Sequence, residues 1–173
     1  MPLILPIKKS RARFASFSDA LLKSNVITAD KLTVFAEQAR QEKLPLERYL
    51  VQKNLVDPAA FTMAASAYLN MPPLTLPENF SIQRDLIGSK PLDFWIKAKA
   101  VSVMKLCGRL TIAFADPFDL PSQEEVSRAA GGRIWSCVAP EKDVMDALAR
   151  LKVQEDAANP ALAMENKIGR AHV

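Results

Sequence analysis

Apolar positions along this chain follow two different periods, and the change falls near residue 72. In the first stretch they recur at intervals of three and four. Leu32, Phe35, Ala36 and Ala39 fall on one stripe, and Phe61, Ala64, Ala65 and Tyr68 on another. That spacing predicts helices with one buried face. The stretch also repeats itself. Ala20-Leu-Leu-Lys-Ser-Asn-Val-Ile27 matches Tyr49-Leu-Val-Gln-Lys-Asn-Leu-Val56, with Leu21 over Leu50 and Asn25 over Asn54. The same offset continues with Leu32 over Phe61 and Ala36 over Ala65. A period of this length points to one supersecondary unit used twice. Each unit reads as a short helix, an Asn-centred turn and a longer helix, because Asn tolerates the left-handed conformation that closes helices. Asp57 followed by Pro58 predicts an N-cap and first turn for the second long helix, and Thr28 is placed to cap the first. The expectation is a four-helix unit of two hairpins.

From Met71-Pro-Pro-Leu-Thr-Leu-Pro77 the pattern changes, since three prolines predict an extended crossover rather than a helix. A short helical stretch is expected around 82–87, and Pro91 opens another over 92–97. Residues 100–106 read as a strand, Cys107-Gly108-Arg109 as a tight turn and 110–115 as the partner strand. Ser122 with Glu125 has the spacing of a capping box for a helix that runs to Ala130 and stops at Gly131-Gly132. A third strand over 133–138 and a last helix after Pro140, with Val144, Leu148 and Leu151 on one face, complete the pattern. The fold class is therefore α+β: a tandem helical-hairpin unit, then a small α/β sandwich with a three-stranded sheet. Its expected divisions are a basic flexible N-terminus at 1–15, a helical repeat at 16–72, an α+β subdomain at 73–151, and a linker at 152–173. Within that linker Ile168-Gly-Arg-Ala-His-Val173 resembles translated adapter DNA, which predicts a truncated gene with a further domain missing.

Charge narrows the function classes. The net charge of +4 is located in Lys8, Lys9, Arg11 and Arg13, and the remaining residues sum to zero. A neutral body argues against nucleic-acid binding, which spreads cations over one face. These four cations follow Met1-Pro-Leu-Ile-Leu-Pro-Ile7, the reverse of a secretory signal, and two prolines interrupt the apolar residues. The chain is expected to be cytoplasmic, with a basic tip suited to an anionic membrane surface. Cys107 and Cys137 form no CxxC pair, so neither a disulfide framework nor a zinc site is expected, and both are read as buried at sheet positions.

Candidate chemistry is sparse. The only histidine is His172, so no Ser-His-Asp or Cys-His arrangement has a base in the folded body. The five glycines form neither GxxxxGK[ST] nor GxGxxG, so no phosphate-cradling loop is present. Asp116 and Asp119 flank Pro117-Phe118 at a strand exit, where turn chemistry outweighs acid–base chemistry. Glu124 and Glu125 are read as complementing a helix dipole in its first turn. Phe94 and Trp95 beside Lys97 and Lys99 have the composition of a nucleotide-stacking site, but core packing of Trp95 with solvated lysines is the simpler reading. Arg48 and Lys53 form a small basic face of the kind any solvated helix carries. No catalytic residue and no metal site is expected.

The tandem helical repeat, then Leu69-Asn-Met-Pro72, then Gly108-Arg-Leu-Thr-Ile-Ala-Phe-Ala-Asp-Pro-Phe-Asp119, together resemble the N-terminal domain of type II secretion and type IV pilus assembly ATPases. This is the GspE/PilB type, also called the MshEN domain, and the likeness covers about residues 16–151. Tyr49 to Asp57 looks like the pilus branch, and Ala115 to Asp119 like the secretion branch. The resemblance implies docking onto an inner-membrane platform protein, a position peripheral to the inner membrane, and ATP, magnesium and hexamer formation only through an ATPase core beyond this chain. Some members bind cyclic di-GMP through tandem RLGx6Gx6LxxxLxxQ motifs, set at the same offset as the repeat in this chain. Here the arginine positions fall on Ser16 and Pro45, the first glycines on Ser18 and Glu47, the second glycines on Asn25 and Asn54, and the glutamines on Ala39 and Tyr68. Leu21, Leu22, Leu32, Leu46, Leu50, Val51 and Phe61 keep the apolar spine. Without arginine forks for the phosphates, cyclic di-GMP binding is not expected. The alternative implied by the same resemblance is a cyclic di-GMP-sensing module, as also found attached to glycosyltransferases.

Overall fold

A computed structural model describes residues 14–159, which divide between Met71 and Pro72 into two compact units. The basic tip and the adapter-like tail both lie outside the described residues.

The first unit contains α1 (Phe17–Lys23), α2 (Ala29–Gln41), α3 (Leu46–Gln52) and α4 (Pro58–Leu69). Ser16 caps α1, its Oγ accepting from the Asp19 N–H at 3.1 Å, and Asp57 caps α4 by accepting from the Ala60 N–H at 2.9 Å. Thr28 stands at the N-cap of α2 but makes no side-chain capping bond. The two short helices end in the same way. After α1, Asn25 is left-handed (φ 54°), and the N–H groups of Asn25 and Val26 donate to the carbonyls of Leu22 and Leu21. After α3, Asn54 (φ 51°) and Leu55 donate to Val51 and Leu50. Both are Schellman turns at matched positions, and they carry the repeat into three dimensions.

The helices then pack across the repeat rather than within it. The closest packing is of α1 on α4 and of α2 on α3. The short helix of each repeat thus covers the long helix of the other, so two units that cannot each bury an apolar face alone share one core. Leu21 and Leu50 are wholly buried there, with Ala20, Ala39, Phe61, Ala64 and Ala65 around them. The small residues permit close approach of the helices.

In the second unit the chain enters extended. Pro73 bridges Val138, Leu74 N–H donates to the Val138 carbonyl at 2.8 Å, and Val138 N–H donates to the Pro72 carbonyl at 3.0 Å. A single 3-10 turn (Arg84–Leu86) and α5 (Leu92–Ala98) precede β1 (Ala100–Leu106) and β2 (Arg109–Phe114), an antiparallel hairpin. Its two-residue turn, Cys107-Gly108, has positive φ at both positions, the conformation that matches the twist of a hairpin. Then α6 (Leu120–Ala129) crosses over to β3 (Ile134–Val138), parallel to β2, and α7 (Glu141–Ala158) closes the unit. The sheet order is β1-β2-β3, with a register shift between Ser102 and Met104. Trp95, Ile112, Phe114, Val126, Val144 and Leu148 form the core, over which α7 packs on α5, β1 and β2. The fold is α+β, as expected: seven helices among the described residues and a three-stranded mixed sheet.

Four details differ from the sequence reading. The expected linker begins too early, because α7 continues through Lys152 to Ala158. Gln154 Nε2 donates to Ser81 Oγ at 3.2 Å and Glu155 pairs with Arg84, which hold this polar, alanine-rich extension as helix. Asp119, not Ser122, caps α6: its Oδ1 accepts from the Ser122 N–H at 3.2 Å and its Oδ2 from the Ser122 hydroxyl at 2.7 Å. With the helix starting at Leu120, Glu124 and Glu125 lie beyond its first turn. Cys107 is exposed in the hairpin turn, and only Cys137 is buried.

Candidate functional site

The motif positions of the repeat lie on matched elements of the first unit, and most already have structural work. Ser16 is the exposed N-cap of α1, and Ser18 is half-buried within the first turn of that helix. Pro45 is the N-cap of α3, followed by half-buried Leu46 and Glu47. Asn25 and Asn54 are exposed and supply the left-handed residue of each Schellman turn, a backbone role that glycine would fill equally. Leu21, Leu50 and Phe61 are core residues, whereas Leu22, Leu32 and Val51 are half-buried. At the two glutamine positions, Ala39 is buried and Tyr68 is 37% exposed, its ring 5.8 Å from that of Phe17.

Three cations on these helices pair with carboxylates. Lys23 lies 3.0 Å from Asp19, Arg40 3.3 Å from Glu37, and Lys53 3.0 Å from Glu42 across the two repeats. The hydrogen bond from Lys23 is the main reason that the Asp19 carboxyl is held below its ordinary range. Sequence reasoning gave no role to Tyr49, yet its hydroxyl donates to Gln38 Oε1 at 3.0 Å and ties α3 to α2. Nor did it single out Phe17, which meets Phe61 edge-on at 5.4 Å. The aromatic residues of the helical stretch were the available signal.

In the second unit, Asp116 Oδ1 accepts from the Phe118 N–H at 3.0 Å, and Asp119 is the α6 cap. Both carboxylates serve the turn. Trp95 is buried and Lys99 pairs with Glu141 at 2.7 Å. Among the described residues no group of three or more His, Cys, Asp or Glu could hold a metal ion, and no helix is long and apolar enough to cross a membrane. A feature the sequence reading overlooked is Trp135, 51% exposed on β3 with the Arg109 guanidinium 5.1 Å from its ring centre.

Residues 70–158 match the family model described as the MshEN domain. The chain belongs to the MshEN domain family. The match falls on the second unit, preceded only by the closing residues of the first. Among solved structures, MshE with cdg (cyclic di-GMP) is similar at 19% identity and a TM-score of 0.66, over 78% of this chain and 97% of that one. The N-terminal domain of XpsE is similar at 22% identity and a TM-score of 0.65, over 78% of this chain and 92% of that one. Both alignments cover more of the chain than the second unit contains, so the fold likeness extends into the helical repeat. No curated protein matches the sequence. The family resemblance read from the residues is borne out.

Proposed function

We propose that this MshEN domain is a non-catalytic docking module of a secretion or pilus ATPase, binding an inner-membrane platform protein and not cyclic di-GMP. The observation that supports the reading is a buried helical-repeat core in which the positions expected to carry arginine and glycine carry other residues. Leu21, Leu50 and Phe61 keep the core, while Ser16, Pro45, Ser18 and Glu47 stand at the arginine and first-glycine positions. Recognition of a dinucleotide with two phosphates needs charged or backbone donors at both, and here Ser16 and Pro45 are committed to helix starts. A protein interface needs only an apolar centre with a polar rim. On this reading the domain works at the cytoplasmic face of the inner membrane, and ATP, magnesium and hexamer formation belong to a motor domain.

The similarity to MshE with cyclic di-GMP supports the second reading, a sensing module. The left-handed turns at Asn25 and Asn54 are also compatible with it, since they keep the backbone that glycine would have there. Calorimetric titration with cyclic di-GMP decides between the two. No saturable heat is expected, and low-micromolar binding would favour the sensor. For the docking role, the protein should co-purify with the cytoplasmic domain of the platform protein encoded beside it; failure with every such candidate would remove that role.

A further inference from the structure

The hairpin end of the sheet combines three features that no part of the MshEN reading assigns. The first is an exposed apolar row. Met104 pairs with Thr111, and Thr111 with Trp135, so the three side chains share one face across all three strands. Leu106, two residues beyond Met104, continues that face beside its partner Arg109. Further along the same face Val101, Ala113 and Cys137 are buried, but at the hairpin end Met104, Leu106 and Trp135 are 47%, 56% and 51% exposed. Large apolar side chains clustered in this way mark interaction surfaces.

The second feature is charge. Arg109 lies over the Trp135 ring, and exposed Arg133, two residues before Trp135, falls on the same side. No Asp or Glu occurs from residue 94 to 115 or from 126 to 140, so neither the hairpin nor the turn into β3 supplies a countercharge. The third is an open edge. β3 borders the sheet, and the incoming segment covers it only at Val138, which exchanges backbone bonds with Pro72 and Leu74. Alternation along a strand turns the N–H and C=O groups of Ile134 and Ser136 toward the same side. Among the described residues no strand lies there.

Resting on the docking reading above, we infer that this sheet end receives an extended acidic segment of the partner protein. Its carboxylates face Arg109 and Arg133, its apolar side chains lie on Trp135, and its backbone extends the sheet beside Ile134–Ser136. Strand addition of this kind takes affinity from backbone bonds and specificity from side chains. A lipid surface offers anions but no backbone groups to pair with the edge. A second copy would bring the same cations face to face.

The test uses the whole chain and a short peptide of paired glutamates alternating with paired valine and leucine residues, so that each face of the extended strand carries both carboxylates and apolar side chains. Trp135 reports binding because it is exposed, whereas Trp95 is buried and contributes a constant background. The peptide should shift tryptophan emission to the blue and saturate, and should weaken with added salt. Arg109→Glu should weaken binding at least ten-fold, while Lys152→Glu, the same charge change on the exposed end of α7, should leave it unchanged. Circular dichroism and melting of each variant verify folding, and Arg133→Glu repeats the test if Arg109→Glu does not fold. No shift overturns the proposal, as does equal binding of a lysine-for-glutamate peptide or binding only to vesicles of equimolar phosphatidylcholine and phosphatidylglycerol. If the platform protein binds the charge-reversed variants as well as the parent, this surface falls and the docking reading stands. If no platform protein binds, the docking reading falls, and the peptide result alone decides the surface.

Discussion

Leu21 and Leu50 occupy equivalent places in the two repeats, and neither exposes any of its side chain. Truncation of either to Ala should cost roughly 2–5 kcal/mol through lost transfer energy and an unfilled cavity. Gln52, two residues beyond Leu50, is exposed, and Gln52→Ala should change stability by less than about 0.5 kcal/mol. Urea denaturation of the three variants measures the contrast, and equal midpoints would contradict the helical phasing. The two thiols differ as sharply. Cys137 is buried with its Sγ 3.3 Å from the Ile112 carbonyl, and burial raises its thiol from the ordinary 9.0 to about 11. A folded-state pKa above the unfolded one gives stability that is complete below pH 9 and lost as pH rises toward about 11. Cys137→Ala should lack that component of the alkaline loss in melts taken across this range. Native protein should give one thiol, Cys107, to an aromatic disulfide reagent, and two once unfolded.

At the scale of elements, the ends of helices were the most legible feature where a residue type declares them. Asn25 and Asn54 announce left-handed turns because Asn accepts that backbone, and Asp57-Pro58 announces a start. Lys43 announces nothing, yet it is left-handed at φ 56° and closes α2 with the same bond pattern, Lys43 to Arg40 and Leu44 to Ala39. A lysine there carries the steric cost that Gly escapes, so Lys43→Gly should raise stability by about 1 kcal/mol, read from the denaturant midpoint. A fall would mean that the turn is not left-handed in solution. The C-terminal part of α7 was illegible for another reason. Residues from Lys152 to Ala158 bury almost nothing, so no period betrays the helix, and only its partners on 81 and 84 show that it is held.

For the whole molecule, the exclusions drawn from residue types carry a direct expectation. With no GxxxxGK[ST] and no histidine before His172, the purified protein should neither bind nor hydrolyse ATP in the presence of magnesium. Equilibrium dialysis and phosphate release measure the two halves. Magnesium-dependent turnover abolished by one substitution in residues 14–159 would overturn the expectation.

By itself the sequence determined the class of each element, the break at the prolines, the repeat and part of the core, because each rests on local periodicity, on Pro and Gly backbone limits or on side-chain type. Of its two apolar stripes Ala39, Phe61, Ala64 and Ala65 are buried, but Leu32, Phe35 and Ala36 are half-buried and Tyr68 is exposed. The resemblance also assigned expected motif positions in the repeat to named side chains. Only the tertiary structure decided which helices pair. The repeat is equally compatible with α1 on α2 or α1 on α4, and the choice depends on contacts between residues far apart in the chain. Tertiary structure alone also separated Cys107 from Cys137, since a thiol's exposure depends on what packs over it. The row from Met104 to Trp135 was hidden for the same reason. Its members are scattered over three strands, and only the strand register brings them onto one open face.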